Sequence, residues 1–256
     1  MKGNNKMTEE LNNQVALVTG GGSGLGRAMA EKFANNGAKV VILGRHEETL
    51  KETADTNDNI SYVVADLTKD EDIQKVADYV KDNFGQLNIL VNNAGWCPIK
   101  PISEMEISDY DRAFDVDVRG VVALTIATLP LIKKAKGNII NISSIATQHP
   151  GVGFSMYAGA KSAVEQMSKS WALELAPEGV RVNVISPGAI DTNIWYKTDT
   201  ISKDAEEKNR EGAVAGTPLG HIGKPDDIAN MALYLASEKG NFITGANYLV
   251  DGGMGM

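Results

Sequence analysis

Tyr157 and Lys161 stand four apart in Tyr157-Ala158-Gly159-Ala160-Lys161. Helical periodicity continues through residues 162–175, so both side chains project from one helix face. A free phenol titrates near pH ~10, and an adjacent ammonium favours the phenolate, which draws that value toward the working range. Tyr157 then becomes a usable acid or base. Taken alone, Tyr157 reads equally as an interfacial tyrosine and Lys161 as a solvated charge, because a Y-x-x-x-K spacing arises often by chance.

A second stretch, Thr19-Gly20-Gly21-Gly22-Ser23-Gly24-Leu25-Gly26, has the glycines a chain needs to turn tightly and bring its backbone against a pyrophosphate. The helix N-terminus that follows faces the negative charge. No frame gives the strict G-x-G-x-x-G spacing, and a glycine turn by itself is a weak signal. Asn92-Asn93-Ala94-Gly95 has a plain alternative as a strand-ending turn, since Asn and Gly favour such positions.

These residues need elements to hold them. Apolar runs at 15–18, 39–43, 60–65, 87–92, 138–143 and 180–186 are strand candidates, and helical stretches such as 28–36 separate them. Strands this apolar, alternating with helices, imply a mostly parallel central sheet covered by helices on both faces, with right-handed crossovers. The expected fold class is therefore α/β, a single doubly wound Rossmann-type domain. Ligands of such sheets bind beyond the carboxyl ends of the strands, where most of the motifs lie. Residues 1–13 read as a flexible N-terminal tail, 14–256 as one dinucleotide-binding catalytic domain, and 193–216 as either a substrate lid or a solvated helix pair.

Composition narrows the function classes. A chain of 256 residues with 43% hydrophobic residues can build one sizeable core. The net charge of -8 has no basic stripe to offset it, which argues against a nucleic-acid partner. Cys97 is the sole cysteine, so an internal disulfide and a multi-thiolate metal site are excluded, and no metal is expected. No stretch resembles a signal peptide or reaches membrane-spanning length, so a cytoplasmic protein with no membrane partner is expected. His46, His149 and His221 each stand singly and receive no catalytic role.

Taken together, the motifs resemble the short-chain dehydrogenase/reductase family over essentially the whole chain. Its T-G-x-x-x-G-x-G loop is matched by Thr19, Gly20, Gly24 and Gly26. Asp66-Leu67, Asn92-Asn93-Ala94-Gly95, Ser144, Tyr157-x-x-x-Lys161, Pro187-Gly188-Ala189-Ile190-Asp191-Thr192 and Val250-Asp251-Gly252-Gly253 follow in the family's order. The resemblance implies hydride transfer between a nicotinamide and a carbonyl or secondary alcohol. It assigns proton transfer to Tyr157, a hydrogen bond on the reacting oxygen to Ser144, and tuning of the tyrosine plus a hold on the nicotinamide ribose to Lys161. It also implies a cofactor site built from Gly20, Ser23, Gly24, Leu25, Gly26, Arg45, Asp66, Leu67, Asn93, Ala94, Gly95, Tyr157, Lys161, Pro187, Gly188, Ile190 and Thr192. Asp66 would meet the adenine amino group, and Ile190 with Thr192 the nicotinamide amide. Ser144 lies thirteen residues before Tyr157, a family spacing that favours the functional reading of the tyrosine. One departure is Asp117-Val118-Arg119-Gly120, where relatives carry N-x-x-G in a proton relay. The backbone carbonyl at Asp117 is kept, and an ionised Asp117 would raise the lysine pKa, leaving the effect on rate open in sign.

At the end of the second strand, the position where NAD enzymes place an acid holds Gly44, and Arg45 offers a planar set of donors suited to a 2′-phosphate. NADP(H) is therefore expected over NAD(H). Trp96, Cys97, the residues 149–156 and Ile194-Trp195-Tyr196 form a mostly apolar candidate pocket, which suits a hydrophobic ketone or steroid-like substrate. A 3-oxoacyl-(acyl carrier protein) reductase is the alternative enzyme, with Lys133, Lys134 and Lys136 as docking charges. A non-catalytic NAD(P)-binding sensor is the alternative from another class. The resemblance further implies a homo-oligomer, with a tetramer favoured.

Overall fold

The computed structural model describes residues 10–192 and 203–256. Runs of Val, Ile and Leu form the strands because branched side chains pack well on a pleated surface. In chain order the elements are β1 (Val15–Thr19), α1 (Gly24–Asn35), β2 (Lys39–Gly44), α2 (Glu47–Ala54), β3 (Ile60–Val64), α3 (Asp70–Phe84), β4 (Ile89–Asn92) and α4 (Ile107–Phe114). They continue with α5 (Gly120–Ala135), β5 (Asn138–Ile142), α6 (Ser155–Leu175), β6 (Arg181–Pro187), α7 (Lys203–Ala215), α8 (Pro225–Ala236) and β7 (Asn247–Val250). One π-helical turn, Asp115–Arg119, joins α4 to α5.

The strands pair in parallel in the order β3-β2-β1-β4-β5-β6-β7, giving the single α/β domain that the apolar runs imply. Register follows side-chain alternation. Ala16, Val18, Val40 and Ile42 share one core cluster with Met29 and Phe33 of α1 and Ala229 and Leu235 of α8. Leu17, Val41, Leu43 and Leu90 share the other with Val76 of α3, Leu124 of α5 and Ala172 of α6. Each fully buried aliphatic side chain contributes about 1.5–3 kcal/mol, and both faces of the central strands are covered. After β3 the chain returns to lay β4 beside β1, so strand order reverses there and leaves a crevice at the carboxyl ends.

The structure departs from the sequence expectations at two places. β7 was not foreseen, because Asn247–Val250 is a short, partly buried edge strand without a continuous apolar run. The expected loose tail is anchored where it is described. Leu11 is fully buried, its N–H donates to the Asn36 carbonyl at 2.9 Å, and Glu10 pairs with Lys239 at 2.6 Å. An apolar residue four positions before a buried strand packs against Met29 and Phe33 of α1, which the polarity of the segment did not reveal. Leu11→Ala is expected to cost about 2–5 kcal/mol of unfolding free energy, measured by urea denaturation; a change below about 0.5 kcal/mol would return this segment to a surface role.

Candidate active site

The glycine turn after β1 is forced by close approaches. Gly20 and Gly24 have φ of +67° and +55°, in the region that side chains rarely adopt. A Cβ on Gly26 would lie 2.2 Å from the Gly20 carbonyl oxygen and 2.6 Å from Asn93 Nδ2, so α1 can start this close to the loop only with glycine there. Ser23 caps α1 in extended backbone without a side-chain capping bond, and the first N–H groups of α1 have no partners within the helix.

Thr19, the last residue of β1, fastens this loop to the next. Its hydroxyl oxygen accepts the N–H groups of Asn93 and Ala94, both at 2.8 Å, while Asn93 Nδ2 donates to the Thr19 carbonyl at 2.8 Å. The Asn93 amide thus sits between Gly20 and Gly26, holding the two turns at a fixed separation. Beneath it, Asn92 Nδ2 donates to Asn141 Oδ1 at 2.8 Å, and Asn141 Nδ2 to Ser168 at 2.8 Å, tying β4, β5 and α6 together in the core.

At the ends of β2 and β3, Arg45, Asp66, Thr68, Arg112 and Asp115 help line a cavity of about 380 Å³. Burial opposes ionisation of Asp66, but hydrogen bonds from the Thr68 N–H at 3.0 Å and hydroxyl at 2.9 Å outweigh it, with Arg45 and Lys69 helping. Its carboxyl is held below the usual carboxylate range. Leu67 turns into the core beside α3. Arg112 lies 4.3 Å over the Trp96 ring.

The residues expected to take part in proton transfer come from three elements. Ser144 follows β5, and the turn that carries it is gripped from both sides: Ser143 Oγ and Thr147 Oγ1 donate to Glu165 Oε1 at 2.6 and 2.8 Å. Ser144 Oγ accepts the Ala146 N–H at 3.2 Å, and the Ser144 hydroxyl lowers the proton affinity of Tyr157. One helical turn along α6, Lys161 Nζ lies 5.6 Å from the Tyr157 ring centre and donates to the Ile142 carbonyl at 3.1 Å. Asp117, on the π-helical turn, accepts the Trp96 N–H at Oδ1 (2.7 Å) and lies 3.1 Å from Lys161 Nζ at Oδ2, an ion pair short of hydrogen-bond alignment.

The electrostatics correct one expectation. Burial pushes Tyr157 above the ordinary phenol value; Lys161 pulls it down, as the spacing predicts, but Cys97 and Asp117 push it up and burial prevails. Burial lowers Lys161, yet Asp117 and the phenol hold it above its usual value. Burial raises Asp117, opposed by Lys161 and the Trp96 N–H. We take the pair as ammonium and carboxylate, since each compensates the other's charge at contact distance. Burial pushes the Cys97 thiol up to about 12.

On the far side of the crevice, β6 ends in Pro187, and a Cβ on Gly188 would lie 2.6 Å from Asp251 Cα. Ile190 turns its side chain into the core, and Thr192 stands opposite Gly24. Of the apolar pocket, Trp96, Cys97, Phe154 and Met156 are partly buried and the Phe154 and Tyr157 ring centres are 6.5 Å apart, whereas Ile194, Trp195 and Tyr196 lie outside the described residues. Sequence reasoning passed over Glu165 and Arg112, which nothing in a linear pattern connects to the site. It left Thr19 a motif letter, although a threonine ending a strand at a glycine turn was a signal for a pin.

At the carboxyl ends of the doubly wound sheet, the glycine turn follows β1, Ser144 follows β5, and Tyr157 and Lys161 lie one turn apart on α6. The family profile described as Enoyl-(Acyl carrier protein) reductase matches residues 20–255. A 3-oxoacyl-(acyl-carrier-protein) reductase of Thermotoga maritima is 34% identical over 95% of this chain and 98% of its own length. (+)-Borneol dehydrogenase 2 of Salvia officinalis is 36% identical over 94% of this chain and 88% of its own. Glucose 1-dehydrogenase 2 of Bacillus subtilis is 34% identical over 97% of both. The chain belongs to the short-chain dehydrogenase/reductase family, and it is an NAD(P)-dependent enzyme of that family. The residues present fit such a dinucleotide, since the cradle at Gly20, Gly24 and Gly26 is one that a Cβ would fill or strain.

Thr19→Val removes the acceptor of two N–H groups while keeping the shape of the side chain. It is expected to cost about 1–3 kcal/mol and to weaken dinucleotide binding, read by denaturation and by fluorescence titration with NADPH. Unchanged values in both would deny Thr19 the role of a pin.

Proposed function

We propose that this enzyme transfers hydride between NADP(H) and a hydrophobic ketone or its secondary alcohol. The observation that supports this is the grouping of Ser144, after β5, with Tyr157 and Lys161, one turn apart on α6, beside partly buried aromatic residues. When bound, the nicotinamide supplies or accepts the hydride. The Tyr157 hydroxyl donates its proton to the carbonyl oxygen in reduction and accepts one from the alcohol in oxidation. Ser144 Oγ hydrogen-bonds the same oxygen and sets its direction. Lys161 would hold the nicotinamide ribose, and its ammonium stands beside the Tyr157 ring. Gly20, Ser23, Gly24, Leu25 and Gly26 receive the pyrophosphate, Asp66 and Leu67 the adenine, and Asn93, Ala94, Gly95, Pro187, Gly188, Ile190 and Thr192 frame the nicotinamide end.

Arg45 supports NADP(H) over NAD(H). It is exposed at the end of β2, at the rim of the cavity that Asp66 also lines, where a 2′-phosphate would meet its guanidinium. An apolar substrate is consistent with the aromatic lining and with a relative named for borneol, an apolar alcohol. The carrier-protein reading has a relative of that name, but two of its docking lysines are engaged: Lys133 pairs with Glu178 at 2.6 Å, and Lys134 donates to the Gly85 carbonyl at 2.9 Å.

Residues 193–216 serve in this reading as a substrate lid, of which α7 is described; Arg210 on it pairs with Asp191 at 3.3 Å. Exposed Ile126 on α5, Leu173 on α6 and Phe242 near the C-terminus support a homo-oligomer, with a tetramer as the expected size. A cytoplasmic location fits the single cysteine, and among the described residues no helix is long and apolar enough to cross a membrane.

Nicotinamide absorbance, followed with NADPH and NADH against a panel of hydrophobic ketones and sugars, tests this reading. Tyr157→Phe is expected to lower turnover by about 10²–10⁴-fold. Retained turnover would remove the tyrosine from the chemistry. With the phenol raised, reduction is expected to fall and oxidation to rise as pH climbs through the Tyr157 value, because the donor is the phenol and the acceptor the phenolate. Arg45→Ala is expected to raise the KM for NADPH about tenfold or more, the loss of a charge-assisted contact, and to leave that for NADH unchanged; equal effects on both would assign Arg45 to the surface.

A further inference from the structure

A carboxylate with no exposed surface set against a lysine only 4% exposed is costly to bury, and good geometry is needed to offset that cost. Asp117 meets the requirement on both oxygens, with the Trp96 N–H on Oδ1 and Lys161 Nζ beside Oδ2. Gly95 makes the meeting possible: a Cβ there would lie 2.8 Å from Asp117 Oδ2 and 3.1 Å from Lys161 Nζ. The ammonium that faces the Tyr157 ring is thus already matched by a negative charge. The two form a neutral unit, which stabilises a phenolate far less than a lone ammonium would.

We propose that Asp117 is a positioning residue that neutralises Lys161 and so keeps Tyr157 as the phenol, poising the site to give a proton to a carbonyl oxygen rather than to take one from an alcohol. This rests on Tyr157 being the proton-transfer group. The groups facing the phenol are Lys161 on its own helix, Asp117 from the π-helical turn, Cys97 from the segment after β4 and Ser144 from the end of β5. Burial raises the phenol most and Lys161 opposes it; Cys97 and Asp117 add to the rise, and of these Asp117 is the one in contact with Lys161. The raised proton affinity of Lys161, which burial opposes and Asp117 chiefly causes, agrees with a shared charge, whereas the rise at Tyr157 comes first from burial. In reduction the carbonyl carbon gains the hydride held by the reduced nicotinamide, the Tyr157 O–H bond breaks as the alcohol O–H bond forms, and the phenolate regains its proton from water. No other reactant is required.

The test reads the phenol itself, without substrate or cofactor. Tyrosinate difference absorbance is titrated in the wild type, with Tyr157→Phe subtracted to isolate this residue, and then in Asp117→Asn and Asp117→Ser. Tyr157 in the wild type is expected to titrate above ~10, the ordinary phenol value, and both neutral variants are expected to move it down by about one pH unit or more. A wild-type midpoint below the ordinary value overturns the proposal even if neither variant folds. A midpoint that stays put, or that moves in only one variant and so tracks packing rather than charge, overturns it as well. Failure of the proton-transfer reading has a separate signature, undiminished turnover in Tyr157→Phe.

Discussion

Burying the charge of Lys161 is the constraint on which the site hangs. An ammonium removed from water has to recover its interactions from fixed groups, and here they come from different parts of the chain. Ile142 at the end of β5 offers a carbonyl, and Asp117 between α4 and α5 offers a carboxylate. Gly95 after β4 offers the absence of a side chain. Satisfying one lysine therefore fixes the mutual placement of β4, β5, the π-helical turn and α6. The π-helical turn itself carries Asp117, and such turns shift side chains relative to a regular helix.

A second, neutral set of bonds does the same for the dinucleotide side. Thr19 and Asn93 join the loops after β1 and β4 through three hydrogen bonds, and the glycines at 20 and 26 make room for the Asn93 amide. Deeper in the molecule, Asn92, Asn141 and Ser168 cross-link the strands under the site to α6. Buried polar chains of this kind rigidify when satisfied. The groups proposed to meet ligand are thereby left on a cross-linked frame, while α7 is tied to Asp191 by an exposed ion pair. Charge is thus placed with rigidity in the crevice and with latitude at its margin.

The strands were legible because buried parallel strands are continuous apolar runs, and the glycine turn because only glycine relieves the contacts it makes. Tyr157 and Lys161 were legible as neighbours because helical spacing puts them on one face. The sign of the Tyr157 shift was not. Spacing shows that an ammonium is near, but it does not show that Asp117, forty residues earlier in the chain, shares that ammonium, or that the phenol is partly withdrawn from water. Glu165 and Arg112 were likewise invisible, since their partners lie on other elements.

By itself the sequence determined the fold class, the family and the placement of Tyr157 and Lys161 on one helix face, because these rest on local periodicity and on motifs of near neighbours. Only the tertiary structure decided that Leu11 is core, that β7 closes the edge of the sheet, and that Asp117 rather than solvent faces Lys161. The reason is physical: burial and long-range electrostatics depend on which distant segments share space, and Coulomb interaction strengthens as water is excluded. A pattern of residue types carries the potential charges. The fold decides which of them meet.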